Sequence, residues 1–367
     1  MTNDYQYFGL KSSSEGVSDF VKHIINSNLT FEEKGEQKTP VCIWGDHGIG
    51  KTELVKEIAN DLNFKWAYIA PAQFEEMGDL LGMPKVVENE TIFAPPQWVP
   101  KDEGPGILLI DDVNRADDRI LRGIMQLLQN YELVSWKLPK NWQIVLTANP
   151  DGGDYSVTPM DNALLTRMMH ITMQFDVKSW GRWAEEKKID PRGINFVLSY
   201  PEIVTGTRTT PRTLVQFFNS IKSIPKLEDH LPLIQTLGAS CLDEETVSAF
   251  ITFVQQNLSE LIEPSQILNA KNFEKEVRKN IEAVVIKDII RVDILATICS
   301  RLSNFLIVNK TNPSKEQIQN IQAFIKMDVI PNDLRLAFLQ DLISSKNNHL
   351  KTIMNDPEVS MMLLKNM

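Results

Sequence analysis

The sequence predicts an α/β protein, with a parallel sheet flanked by helices in its first half and a mostly α-helical second half. Two observations carry that reading. From residue 38 to Phe175, short apolar runs alternate with helical patterns, the arrangement that sets parallel strands side by side with helices crossing between them. After Trp180 the strand signals fade, and apolar residues recur at helical spacing instead. A chain of 367 residues, 43% of them hydrophobic, has ample material for a core and exceeds one ordinary domain, so two or three domains are expected.

In chain order, residues 1–37 form a short amphipathic segment with a polar end, Thr30 to Lys38, rich in Glu, Lys and Gly. The sheet domain is expected to begin at the strand Pro40 to Trp44, with later strands at Trp66 to Ala70, Ile107 to Ile110, Ile144 to Thr147 and His170 to Met173. Lys85-Val86-Val87 and Thr91-Ile92-Phe93 flank Glu88-Asn89-Glu90 as a hairpin, followed by the proline-rich Ala94 to Pro100. A second hairpin is expected at Leu133 to Trp136, turning before Trp142. Helical spacing then covers Gly193 to Tyr200, Arg212 to Ile221, Glu244 to Leu258 and Phe273 to Val308. In the last of these, Phe273, Val277, Ile281, Val284, Val285 and Ile289 follow helical spacing, which fits a packed bundle or, as the alternative, an assembly surface. Pro313 and Pro331 divide the tail, with Asn332 and Asp333 as capping candidates. The resulting division is a sheet domain over 38–180, a helical domain over 181–256 and a helical extension over 257–367.

The net charge of −10 repels phosphate backbones and favours a protein partner over DNA or RNA. Cys42, Cys241 and Cys299 lie far apart in apolar surroundings and read as reduced core thiols, without a disulfide framework or a zinc site. The start Met1-Thr2-Asn3-Asp4 lacks a basic and then apolar leader, and no stretch reaches the ~18 apolar residues of a membrane span, so a cytoplasmic location is expected.

The strand Val41 to Trp44 runs directly into Gly45-Asp46-His47-Gly48-Ile49-Gly50-Lys51-Thr52 and then a helical stretch, Glu53 to Leu62. That is the P-loop pattern in its required strand-to-helix context. Glycines let the backbone wrap around phosphates, successive N–H groups and the helix start face the anion, Lys51 neutralises terminal phosphate charge, and the Thr52 hydroxyl is a ligand for Mg²⁺. The alternative, an ordinary glycine-rich turn, rarely meets this pattern between a strand and a helix. Further on, Ile107-Leu108-Leu109-Ile110 ends in Asp111-Asp112, a buried strand delivering two carboxylates. This resembles a Walker B strand, in which Asp111 holds Mg²⁺ and Asp112 polarises the attacking water.

Walker A, Gly78-Asp79-Leu80-Leu81-Gly82, Asp111-Asp112-Val113-Asn114-Arg115-Ala116 and Thr147-Ala148-Asn149-Pro150, in that order, make residues 38 to 256 resemble the MoxR group of AAA+ ATPases. The resemblance implies an αβα P-loop AAA+ domain, an α-helical lid, ATP and Mg²⁺ as cofactors, and a homo-oligomeric ring, typically hexameric. It also implies chaperone-like remodelling of a partner bearing a von Willebrand A domain. By the same resemblance Asn149 is the sensor 1 residue, Arg167 in Asp161 to Arg167 is the arginine finger serving a neighbouring subunit, and Arg212 after Thr210-Pro211 is the sensor 2 arginine. Guanidinium suits both arginine roles, being permanently charged and forked. Arg115 and Arg208 are weaker candidates for such contacts. The family usually carries Glu where Asp112 stands, so this carboxylate is one methylene short. The two hairpins occupy the places of the helix 2 and pre-sensor 1 inserts, and Trp98 there is either packing or a partner contact. The rival readings are a chelatase-type motor subunit, a restriction-type nucleic-acid motor, and a nucleotide switch with little hydrolysis.

Overall fold

A computed structural model describes residues 8–150, 156–256, 258, 261–285, 290–309, 311–345 and 347–364. The chain forms two compact units, Met1–Asp176 and Val177–Met367. In the first, strands β1 (Leu10–Ser12), β2 (Val41–Trp44), β3 (Lys65–Ile69), β6 (Gly106–Ile110), β9 (Trp142–Ala148) and β10 (Met169–Met173) make one parallel sheet in the order β1-β10-β2-β9-β6-β3. Helices α1 (Ser14–Glu33), α2 (Lys51–Asp61), α3 (Met77–Leu81), α4 (Asp118–Asn130) and α5 (Asn162–Leu165) accompany it. Alternation along the central strands sorts the core: Val41, Ile43, Ile107, Leu109 and Val145 pack with α1 and α2 residues, whereas Cys42, Trp44, Leu108, Ile110, Ile144 and Leu146 pack with α4. Full burial of each such side chain contributes about 1.5–3 kcal/mol, so both helical layers are held firmly.

The segment expected to precede the sheet domain is part of it. β1 extends the sheet beside β10, and Val17, Val21, Ile24 and Ile25 of α1 are buried against the sheet. Asn28 fixes the entry to β2, donating to the Thr39 carbonyl at 2.8 Å and accepting from its N–H at 3.0 Å.

Both expected hairpins form. β4 (Met83–Val87) and β5 (Glu90–Ala94) pair around Glu88 and Asn89, whose φ of 50° and 68° give the left-handed turn that suits strand twist. β7 (Glu132–Leu133) and β8 (Trp136–Lys137) form the second. The tryptophans are engaged within the chain. Trp98 Nε1 donates to Asp79 O at 3.1 Å, Trp136 Nε1 to Leu81 O at 2.9 Å, and the two rings meet edge-on with centroids 5.5 Å apart. Gly82 has φ 92°, and a Cβ there would lie 1.9 Å from Ala94 O, so only glycine fits this crossing.

The second unit is helical among its described residues: α6 (Val177–Glu186), α7 (Pro191–Ser199), α8 (Pro211–Ile221), α9 (Leu231–Cys241), α10 (Glu244–Gln255), α11 (Pro264–Leu268), α12 (Lys279–Val285), α13 (Val292–Val308), α14 (Lys315–Ile325), α15 (Asn332–Ser344) and α16 (Pro357–Leu364). The division between units precedes Trp180 because α6, beginning at Val177, packs on α7 and α13. Residues expected as lid and as extension share this one unit. Phe196, Phe217, Phe250 and Phe253 centre the part around α7, α8 and α10. Arg301 of α13, 3% exposed, joins the parts: Nε donates to Glu185 at 2.8 Å, one terminal nitrogen to Glu263 at 2.9 Å, and the other to Asn195 at 3.0 Å. The expected helix Phe273 to Val308 divides into a π-helical turn, Glu274–Arg278, then α12 and α13; Ile289 of its apolar face lies outside the described residues, as do Met1 to Asp4. Pro331 itself occupies the N-cap of α15, so Asn332 is its first residue and accepts instead from Arg335 at 2.9 Å.

Candidate nucleotide site

β2 ends at Trp44, and the loop Gly45 to Gly50 turns the chain into α2 at the carboxyl ends of the parallel strands. Gly45 approaches β10 so closely that a Cβ would sit 2.7 Å from Met173 O, while Gly48 and Gly50 have φ of 73° and 97°. These conformations favour glycine and turn the loop into a concave backbone. Asp46 and His47 are exposed at its outer side, Ile49 is half-buried and Gly48 buried.

Lys51 opens α2 with only 6% of its surface exposed. Its ammonium donates to Gly45 O at 2.7 Å, Asp46 O at 3.0 Å and Asn149 Oδ1 at 3.1 Å. Burial draws its pKa down to about 8, against the upward pull of Asp112, Asp111 and Asp46. Thr52 donates from Oγ1 to Asp111 Oδ1 at 2.8 Å, which sets a hydroxyl and a carboxylate side by side as the oxygen donors a hard divalent cation takes. The concave loop, the buried ammonium and this oxygen pair fit a nucleotide with Mg²⁺.

Asp111 and Asp112 emerge from β6, and β9 lies between β6 and the P-loop strand. Asn149, following β9 and fully buried, bridges the two motifs: Nδ2 donates to Asp112 Oδ1 at 3.0 Å while Oδ1 accepts from Lys51. Arg115 Nε lies 3.4 Å from the other Asp112 oxygen. Asp112 has φ 48° and ψ 47°, a left-handed conformation that Asp and Asn tolerate better than other non-glycine residues. That backbone accounts physically for Asp in place of the longer Glu. Sequence reasoning had missed three supporting residues. Thr147 donates to Asp111 Oδ1 at 2.6 Å and accepts from Asp112 N–H at 2.8 Å; Tyr68 donates to Asp111 Oδ2 at 3.1 Å; and the Asn114 amide makes two bonds to the Asn149 backbone at 2.8 and 3.1 Å. Thr147 and Asn114 stood inside recognised motifs, whereas Tyr68 on β3 had no local signal.

Of the arginines, Arg167 belongs to the first unit, and Arg212 and Arg208 to the second. Arg167, between α5 and β10, donates to Gln129 Oε1 at 3.1 Å and to Ala163 O. With Gln37, Lys38, Thr39, Leu128, Gln129 and Thr166 it lines a cavity of about 540 Å³ at the amino ends of β2 and β10. The P-loop is at the opposite, carboxyl ends of those strands. Arg212 is exposed in the first turn of α8 on the second unit, behind a cap in which Thr210 and Thr213 bond each other's N–H groups. Arg208 is engaged with Ala239 O and Ser240 O near the end of α9.

Residues 40–168 match the family model of the AAA domain, dynein-related subfamily. This segment is an AAA domain. The first unit has the αβα P-loop fold of AAA+ proteins, and the AAA domain is followed by a helical carboxy-terminal region. Midasin of Giardia intestinalis is 24% identical over 139 residues, covering 36% of this chain and 3% of that protein. An ATP-dependent protease ATP-binding subunit-like protein of Rhodococcus erythropolis is 32% identical over 103 residues, covering 25% of this chain and 29% of its own. The chain thus spans 3% to 29% of the length of these curated relatives. Among solved structures, the Thermotoga maritima RuvB Holliday junction branch migration motor aligns over 71% of this chain and 76% of its own, at 17% identity and a TM-score of 0.37. Among the described residues, no helix is long and apolar enough to cross a membrane.

Proposed function

We propose that this chain is a Mg²⁺-dependent ATPase of the MoxR type, working in the cytoplasm as a ring, typically hexameric, that remodels a partner carrying a von Willebrand A domain. The observation that carries the ATPase reading is the meeting of Lys51, Thr52, Asp111, Asp112 and Asn149 at one edge of the sheet. Thr52 and Asp111 would hold Mg²⁺, which when bound supplies charge neutralisation between the phosphates. Lys51 exchanges its backbone carbonyls for phosphate oxygens. Asn149 orients the attacking water, and Asp112 takes its proton as the water oxygen bonds to the γ-phosphorus and ADP leaves. By the MoxR resemblance Arg212 has the sensor 2 role, for which a permanently charged, forked guanidinium is suited. The ring and the von Willebrand A partner come from the MoxR resemblance.

The position of Arg167 supports assembly. Four residues of β2 at roughly 3.3 Å each separate its cavity from the same chain's P-loop, so its guanidinium serves a γ-phosphate held by another copy. Mixing Arg167→Ala with Lys51→Ala chains tests this, because interfaces that pair an intact P-loop with an intact finger recover turnover that neither parent has. Zero recovery, with both variants folded and the unaltered protein active, would place the whole site in one chain. A second reading, a nucleotide switch with little hydrolysis, is favoured by Asp112 being short and already held by Asn149 and Arg115. Tight ATP binding without phosphate release, even when assembled, selects it.

A further inference from the structure

His170, on β10, belongs to none of the motifs, yet both of its ring nitrogens are engaged. Trp44 Nε1 lies 3.0 Å from Nδ1, and Nε2 lies 2.8 Å from Leu165 O. An indole N–H only donates, so Nδ1 must accept, and the proton on Nε2 is donated to Leu165. Phe8 packs on both rings, with centroids 4.8 Å from Trp44 and 5.7 Å from His170. Trp44 immediately precedes the P-loop. Leu165 is the last residue of α5; its carbonyl also accepts from Met168 N–H, at the longer distance of 3.3 Å, and only Thr166 separates it from Arg167. Among the described residues, a cavity of about 260 Å³ bordered by Phe8, Trp44, Asn162 and Leu165 lies on this side of α5. Beside it, hydrogen bonds from His170 and Met168 hold the end of the helix.

We infer that His170 is a positioning residue for Arg167: its Nε2–H holds the Leu165 carbonyl and, through it, the connection that bears the guanidinium. This rests on the reading of Arg167 as a residue serving another copy. Chains with Lys51→Ala lack a working P-loop and donate only a finger, while chains with Arg167→Ala supply P-loops without one. Turnover of their mixture reports the donated finger. Placing His170→Gln or His170→Asn in the Lys51→Ala chain separates the two bonds of the ring. Gln keeps an N–H near the place of Nε2 and gives up Trp44; Asn keeps an acceptor near the place of Nδ1 and gives up Leu165.

With Gln, recovered turnover should stay within about two-fold, whereas Asn should lose about ten-fold or more, since misplacement by ~1 Å can cost roughly 10²-fold. Melting temperatures should run the other way, because Gln leaves the buried Trp44 N–H unpaired. Turnover that follows melting temperature, equal turnover in both, or loss in both overturns the inference. Should the Asn variant not fold, Gln alone decides, by keeping turnover or losing it. If the parent mixture recovers nothing while the unaltered protein is active, the reading of Arg167 falls and this inference with it, an outcome distinct from failure at His170.

Discussion

Asp112→Asn isolates the charge of the second carboxylate from its geometry. Asn is as tolerant of φ 48° and ψ 47° as Asp, and it retains an Oδ1 that can accept from Asn149 Nδ2, now 3.0 Å from Asp112 Oδ1. The pair with Arg115 is lost, but Asp112 is 35% and Arg115 44% exposed, and such pairs contribute only ~0–1 kcal/mol. Stability and ATP affinity should therefore stay close to those of the unaltered protein, while proton transfer from the attacking water loses a contribution on the order of 10²–10⁴-fold. Phosphate release by the assembled protein and nucleotide titration measure the two halves. Asp112→Glu should retain or raise the rate yet melt lower, because Glu tolerates the left-handed backbone less well, at a cost of about 1 kcal/mol. If Asp112→Asn hydrolyses ATP at the unaltered rate, Asp112 is not the catalytic carboxylate, and Asn149 becomes the first candidate for positioning the water.

Lys51, with its pKa lowered to about 8, should acquire full charge when phosphate oxygens replace its carbonyl partners, so ATP binding near pH 8 takes up about half a proton and weakens as pH rises further. Calorimetry in buffers of different ionisation enthalpy measures the uptake; a binding enthalpy independent of buffer counts against it. Without nucleotide the unfolded chain binds more protons than the folded one between about pH 8 and the ordinary lysine value, so this group's contribution to stability rises with pH across that window. Arg301→Met should destabilise the second unit by about 3–5 kcal/mol, because Glu185 is left buried without its partner. Burial already raises the Glu185 pKa and Arg301 opposes it, so in the variant the loss should grow as pH rises above the usual carboxylate range and shrink on acidification. Urea unfolding at two pH values reads this, and an equal loss at both would refute it.

The strands and the P-loop were legible because a buried parallel strand writes itself as a continuous apolar run, and because the loop's glycines are required by φ at Gly48 and Gly50. The edge strand β1 was not, since three residues with Leu10 81% exposed leave no periodicity to read. Helix α1 was legible as amphipathic, but nothing in its own pattern tells that Val17 and Val21 pack on the sheet. Tyr68 at Asp111 and Arg301 at Glu185 are meetings of distant residues, fixed by tertiary packing and invisible to local spacing. Trp98 shows the opposite limit: its residue type fits a partner anchor, yet its indole N–H is taken up by Asp79 O.

The two hairpins of the first unit are bonded to each other and to one helix. Phe93 N–H donates to Ser135 Oγ at 3.0 Å, and Trp98 and Trp136 both anchor to carbonyls of α3, at Asp79 and Leu81. α3 in turn packs on α4, with Leu80 and Ile124 in the same buried cluster. The outer tips, where Val86 is 77% and Val134 60% exposed, thus stand at one end of a continuous chain of contacts. That chain runs through α3 to α4, whose Gln129 accepts from the guanidinium of Arg167. A surface open to another molecule and the residue at the amino ends of the strands are therefore joined by successive contacts, hairpin to α3, α3 to α4, and Gln129 to Arg167.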